Sequence, residues 1–107
     1  MSTTTIIPPF AGKTFEVRYD GLTALNIYAD DGLSLRYEII DGNLKGVSGQ
    51  VNYEWKAISQ SVFVITWQEY DGATVVHIDD FAAATSLSFY TTPKLDFYRL
   101  EGSLRQI

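Results

Sequence analysis

Residues 62–81 read VFVITWQEYDGATVVHIDDF. Two apolar runs meet at Asp71-Gly72, and each alternates with a period of two, the spacing of a strand with one face buried. In the first run Phe63, Ile65, Trp67 and Glu69 share a face, against Val62, Val64, Thr66 and Gln68 on the other. The bulkier, more aromatic set belongs inside, so Glu69 lies inside near one mouth of the structure. The facing of the second run depends on the turn. A three-residue loop Tyr70-Asp71-Gly72, with Gly72 in the left-handed position of a bulged type I turn, pairs Glu69 with Ala73. Val75, His77 and Asp79 then point inward, with His77 opposite Ile65. A two-residue loop of Asp71-Gly72 inverts the strand and sends Val76, Ile78 and Asp80 inward. A glycine in the third loop position favours the first register.

The same alternation recurs along the chain. TFEVRY (14–19), TALNIYA (23–29), LSLRYEI (33–39), GQVNYEWKAI (49–58), SVFVITWQE (61–69), ATVVHIDDF (73–81), ATSLSFYT (84–91) and DFYRLEGSLRQ (96–106) all read as strands. Turn signals separate them at short intervals: Asp20-Gly21, Asp30-Asp31-Gly32, Asp41-Gly42-Asn43, Asp71-Gly72 and Thr92-Pro93. No segment shows a helical stripe. Eight consecutive strands with tight turns predict an all-β, eight-stranded up-and-down antiparallel barrel, wide enough for side chains or one small ligand. A two-sheet sandwich is the competing architecture. Turns too short for Greek-key crossings favour the barrel. Residues 1–11, with Pro8-Pro9 blocking regular structure, read as a flexible arm, and 12–107 as a single barrel domain.

Composition narrows the function. The 107 residues are 46% apolar, enough for one core. There is no cysteine, which excludes disulfides, thiolate metal sites and cysteine catalysis. A net charge of −5 without a basic block argues against nucleic acid and anionic lipid as partners. The N-terminus lacks the basic and apolar regions of a signal peptide, and no apolar run approaches a membrane span. A cytoplasmic protein is expected.

The chemistry-bearing residues are few. His77 is the only histidine. His77, Asp79 and Asp80 do not make a metal site, because neighbours on one strand point to opposite faces. Neither a metal nor a cofactor is expected. There is no G-x-S-x-G, and Gly42-Asn43-Leu44-Lys45-Gly46 is too short for a phosphate loop. The many tyrosines and tryptophans suit an apolar cavity that orients a ligand by a few hydrogen bonds. They suit an ordinary β-core as well. A buried carboxylate has its pKa raised and a buried imidazole has it lowered, so Glu69 and His77 are suited to acid–base work near neutral pH.

Gly12-x-x-Phe15, Tyr19-x-Gly21, Leu35-x-Tyr37-x-Ile39, Gly42-x-x-x-Gly46 and Val62-Phe63-x-Ile65-x-Trp67-x-Glu69 resemble the small calycin barrels related to lipocalins. With Thr74-Val75-Val76-His77 and Asp80-Phe81 added, the pattern over residues 12–104 resembles the MoaF-like proteins. That resemblance implies the barrel but no defined biochemistry. A second resemblance, over residues 12–92, is to phenolic acid decarboxylases, cofactor-free enzymes that use an inward Glu, two Tyr and an Arg. Glu69 and Tyr19 match, whereas the second Tyr falls on Val17 and the Arg on Val47. Without that Arg the carboxylate clamp is gone, so hydroxycinnamate decarboxylation is not implied.

The expectation is therefore a barrel binding a small apolar or aromatic molecule. Phe15, Tyr19, Tyr37, Trp67 and Tyr98 line its cavity, and Glu69 and His77 anchor the ligand. The alternatives are a cofactor-free enzyme performing decarboxylation, isomerisation or cyclisation, and a structural homodimer with a filled barrel. In the enzyme, Glu69 serves as acid or base, Tyr19 as donor and His77 as proton carrier. In the favoured register Val62, Val64, Val76 and Ile78 stay outside as an apolar patch, and a homodimer through that face is expected.

Overall fold

The computed structural model of the chain describes residues 6–107. The strands are β1 (Thr14–Tyr19), β2 (Leu22–Tyr28), β3 (Ser34–Gly42), β4 (Ser48–Ala57), β5 (Val62–Gln68), β6 (Thr74–Asp80), β7 (Thr85–Thr91) and β8 (Phe97–Gln106). Each pairs antiparallel with the next, and β1 pairs with β8 to close an eight-stranded up-and-down barrel. Among the described residues closure leaves no strand of the barrel at a free edge, which is the general advantage of this topology for short alternating strands. No helix among the described residues is long and apolar enough to cross a membrane.

The β5–β6 hairpin adopts the three-residue loop. Ile65 lies opposite His77, the Glu69 amide donates to the Ala73 carbonyl at 2.8 Å, and Gly72 takes a φ of 98°. Asp71 accepts the Ala73 amide at 3.0 Å through its carboxylate, pinning the loop. The positive φ explains why glycine is needed here, since a β-carbon makes that backbone strained.

Elsewhere one irregularity departs from simple alternation. The β2–β3 register shifts between Thr23 and Ala24, with Asp41 opposite the first and Ile39 opposite the second. A bulge absorbs Ile40, and Thr23 and Ala24 are consecutively buried as a result.

The barrel has two unlike ends. The upper end carries the β1–β2, β3–β4, β5–β6 and β7–β8 loops. The lower end carries the other three connections and the segment leading into β1. Phe10, in that leading segment, is only 1% exposed. Its ring lies 4.7 Å from Tyr28, 5.5 Å from Phe63 and 5.4 Å from Phe81, centroid to centroid. The turn holding it is closed by Ala11 donating to the Pro8 carbonyl at 3.0 Å and Gly12 donating to the Ala29 carbonyl at 3.2 Å. Residues 1–5 of the expected arm lie outside the described residues. The part that follows differs from the expectation: the prolines do exclude a strand, but they deliver Phe10 into the barrel's lower mouth as a plug.

Candidate functional site

The inward faces of β6 and β7 give the barrel its polar wall. Asp79 pairs in register with Ser86, and His77 with Ser88. Small serines on β7, with Gly102 of β8 in register with Ser86, leave room for β6 to turn an imidazole and a carboxylate inward. Tyr19 on β1 reaches the same wall. Its hydroxyl lies 2.7 Å from Ser86 Oγ, and Ser86 Oγ donates to Asp79 Oδ1 at 2.5 Å. With the serine proton committed to the carboxylate, Tyr19 must be the donor to the serine. His77 Nδ1 stands 3.5 Å from Asp79 Oδ1, without a hydrogen bond between them.

This wall is cut off from solvent, Asp79 and Ser86 being fully buried. Burial pushes the Tyr19 hydroxyl up, against the lowering effect of its bond to Ser86, and the nearby Asp79 charge adds to the rise. Tyr19 therefore remains a protonated donor at any ordinary pH. Tyr28 is likewise raised well above its usual value, by burial first and then by Asp79, Tyr53 and Tyr19. Tyr53 is pushed up to about 12, chiefly by burial.

Among the described residues, five buried polar atoms have no hydrogen-bond partner within the protein: Asn26 Nδ2, Tyr28 Oη, Tyr53 Oη, His77 Nδ1 and Asp79 Oδ2. All belong to side chains on the inner face of β2, β4 or β6. A buried polar group left without a partner costs about 1–3 kcal/mol. Native interiors carry few of them. Five inside one small barrel are partners for internal water or for the polar groups of a small molecule.

The upper mouth is built differently. Trp67 donates its indole N–H to Glu69 Oε2 at 3.4 Å, and its ring packs 5.0 Å from His77. Trp67 thus connects Glu69 and His77, which share no hydrogen bond or ion pair among the described residues. Burial raises the Glu69 pKa, the Trp67 N–H lowers it, and the charge of Asp71 raises it further. Burial first, and then the Glu69 charge, raises the Tyr37 and Tyr90 hydroxyls above their usual value. Tyr37 lies across Gly49 of the paired strand, where a β-carbon on Gly49 would sit 2.5 Å from the tyrosine oxygen. Tyr98 shares this rim beside Tyr90, ring centroids 6.4 Å apart, and is half exposed.

Of the residues expected at the site, Phe15, Tyr19, Trp67 and His77 are therefore buried inside, Tyr37 and Glu69 are part-buried at the upper mouth, and Tyr98 is at its edge. Two pockets border the barrel, and one, of about 430 Å³ beside the β1–β2 loop, has Arg18, Tyr19, Leu22, Thr23 and Asp41 in its lining. A cavity of about 360 Å³ occupies the lower end, with Phe10, Phe15, Phe63, Phe81 and Leu104 as apolar walls and Lys13 at the rim. Only Phe15 of the expected residues lines it. Asn26, Tyr28, Tyr53, Asp79, Ser86 and Phe10 were not among the expected site residues. The inward serines of SLSF, in register with two acidic or basic side chains, were the available signal.

Among the described residues, no group of three His, Cys, Asp or Glu is placed to hold a metal ion. No curated protein matches the chain. A crystal structure provisionally described as a beta-lactamase, from Burkholderia vietnamiensis, is similar at 60% identity with a TM-score of 0.95. The match covers 96% of this chain and all of that one. A family model, MoaF-like, matches residues 11–105. The chain belongs to the MoaF-like family.

Proposed function

We propose that the barrel binds a small, partly aromatic molecule in its interior, taken up through the lower mouth. The observation that carries this reading is the set of five unpartnered buried polar atoms. Phe10 stands between them and the lower cavity: it lines the cavity, and its ring packs against both Tyr28 and Tyr53. A ligand ring that displaces Phe10 keeps the aromatic contacts with Tyr28, Tyr53, Phe63 and Phe81. Its polar groups then reach the atoms behind. Asp79 Oδ2 calls for a donor, Asn26 Nδ2 for an acceptor, and the tyrosine hydroxyls accept either. The ligand is thus an aromatic ring bearing at least one donor and one acceptor, with His77 and Tyr19 on the wall beside it and Glu69 beyond Trp67.

A thermal-shift screen of small hydroxylated and amide-bearing aromatics tests this. Hits raise the melting temperature of the wild type, and Asp79→Asn and Tyr53→Phe weaken their binding about tenfold each, the loss of one buried hydrogen bond. Hits whose affinity is untouched by both substitutions sink the interior site.

Catalysis in the same interior is the second reading, favoured by the hydrogen-bonded series Tyr19–Ser86–Asp79 ending beside His77. Such a series holds a proton donor and a carboxylate in fixed positions for cofactor-free acid–base chemistry. Incubating each hit with wild type, His77→Gln and Glu69→Gln decides it. Product formed by the wild type and lost in a variant supports the enzyme; a ligand recovered unchanged leaves binding alone. The lactamase wording attached to the Burkholderia relative gains nothing from this chain, which has no Ser-x-x-Lys to supply the serine nucleophile of that chemistry.

A further inference from the structure

Strand register gathers a second set of side chains at the upper mouth. Residues opposite one another on neighbouring antiparallel strands share a face, and one such row runs Trp67, Val75, Tyr90, Tyr98 across β5, β6, β7 and β8. Trp67 and Val75 are buried inside, so Tyr90 and Tyr98 point inward too. Glu69 lies two positions beyond Trp67, on the same alternating face. On β3, Leu35 is buried inside, and Tyr37, two residues on, takes its face. Gly49 opposite Tyr37 has no side chain to obstruct that ring. In a closed barrel, inward side chains from β3, β5, β7 and β8 converge. The Glu69 charge, second to burial, raises the hydroxyls of both Tyr37 and Tyr90, which fits a carboxylate within reach of both rings.

Glu69 has no cation of its own. Among the described residues it enters no ion pair, and its one side-chain hydrogen bond is the 3.4 Å contact from the Trp67 indole. The loops of the upper end add Asp20, Asp71 and Asp96 against Lys45 and Lys94, so the field at this mouth favours a positive charge. Aromatic faces carry the negative side of the ring quadrupole and attract cations in the same way. A metal ion is a poor match, since it calls for several oxygen or nitrogen ligands and no group of three acidic or histidine side chains is present among the described residues. An alkylated ammonium matches better, because its charge meets the carboxylate while its carbon surface meets the rings.

We propose that the upper mouth binds a small organic ammonium ion, with Glu69 as counter-ion, Tyr37, Tyr90 and Tyr98 as walls and Trp67 as floor. The site is separate from the interior one: none of these five side chains supplies an unpartnered buried atom or lines the lower cavity.

Isothermal titration of the full chain with choline tests it, against the uncharged alcohol in which carbon replaces the choline nitrogen. Choline binds, and the alcohol, which has the same shape, binds at least about tenfold more weakly. Glu69→Gln removes the counter-charge and weakens choline by about tenfold. Tyr90→Leu removes one ring face and weakens it by about fivefold, whereas Tyr90→Phe keeps the face and binds as the wild type does. Both positions are only part-buried, so the fold is not at risk. A wild type that does not bind choline at about 10 mM overturns the proposal, as does choline binding no tighter than the alcohol. Choline affinity unchanged in Glu69→Gln, or in Tyr90→Leu, overturns it equally.

Discussion

Glu69 shows how a single side chain reports its surroundings. Its carboxyl is raised by burial at the upper mouth, only partly offset by the Trp67 indole N–H. A carboxyl whose folded pKa exceeds its unfolded value binds more protons in the native state. Its contribution to stability is then present at low pH and is lost as pH rises from the unfolded pKa through the folded one. Glu69→Gln removes that titration. Urea denaturation across this acidic window is expected to show the stability of the wild type falling relative to the variant as pH rises; parallel curves would mean that Glu69 is solvated. Phe10 makes the opposite kind of case. Replacing it with Ala removes a ring that is 1% exposed and is expected to cost about 3–5 kcal/mol in equilibrium denaturation. A loss below about 1 kcal/mol, the level of a surface change, would contradict the plug. The position of Phe10 was not legible in the sequence, because consecutive prolines announce only that no strand forms there, and the burial comes from contacts with three other strands. His77 and Trp67 were legible, since alternation alone turns them inward once the register is fixed.

At the level of elements, the β5–β6 hairpin rests on its loop. Gly72 holds a φ of 98° with open space where a β-carbon would go, so the obstacle to substitution is backbone conformation and not crowding. Gly72→Ala is expected to destabilise the protein by about 1 kcal/mol, measured by the shift in urea midpoint at unchanged slope. A midpoint that does not move would show that the loop relaxes at no cost. This hairpin could be read from sequence because two independent signals agreed: the alternation of both runs and a glycine at the third loop position. The β2–β3 pairing offered no such agreement. Its bulge at Thr23/Ala24 lies beside the close approach of Gly42 to the backbone of Gly21, a contact between distant positions that local alternation does not encode.

Over the whole molecule, eight alternating strands and short turns were enough to foresee a closed barrel, because few other arrangements cover every strand edge with such connections. Where the barrel keeps its open space was not foreseeable. That depends on the summed volumes of inward side chains from eight strands, with serines on β7, aromatics at the lower end and Phe10 arriving from outside the barrel. The result is a polar wall behind an aromatic plug, with a cavity of about 360 Å³ at the plug's outer side. The central claim is that an aromatic ligand exchanges with Phe10 to reach that wall. Isothermal titration of one screened aromatic ligand into wild type, Phe10→Ala and Asp79→Asn tests it most directly. Phe10→Ala should bind more tightly than wild type by about tenfold, since the ligand no longer displaces a packed ring, even though the variant is less stable. Asp79→Asn should bind more weakly. Equal affinity in all three proteins, or weaker binding to Phe10→Ala, would contradict the account.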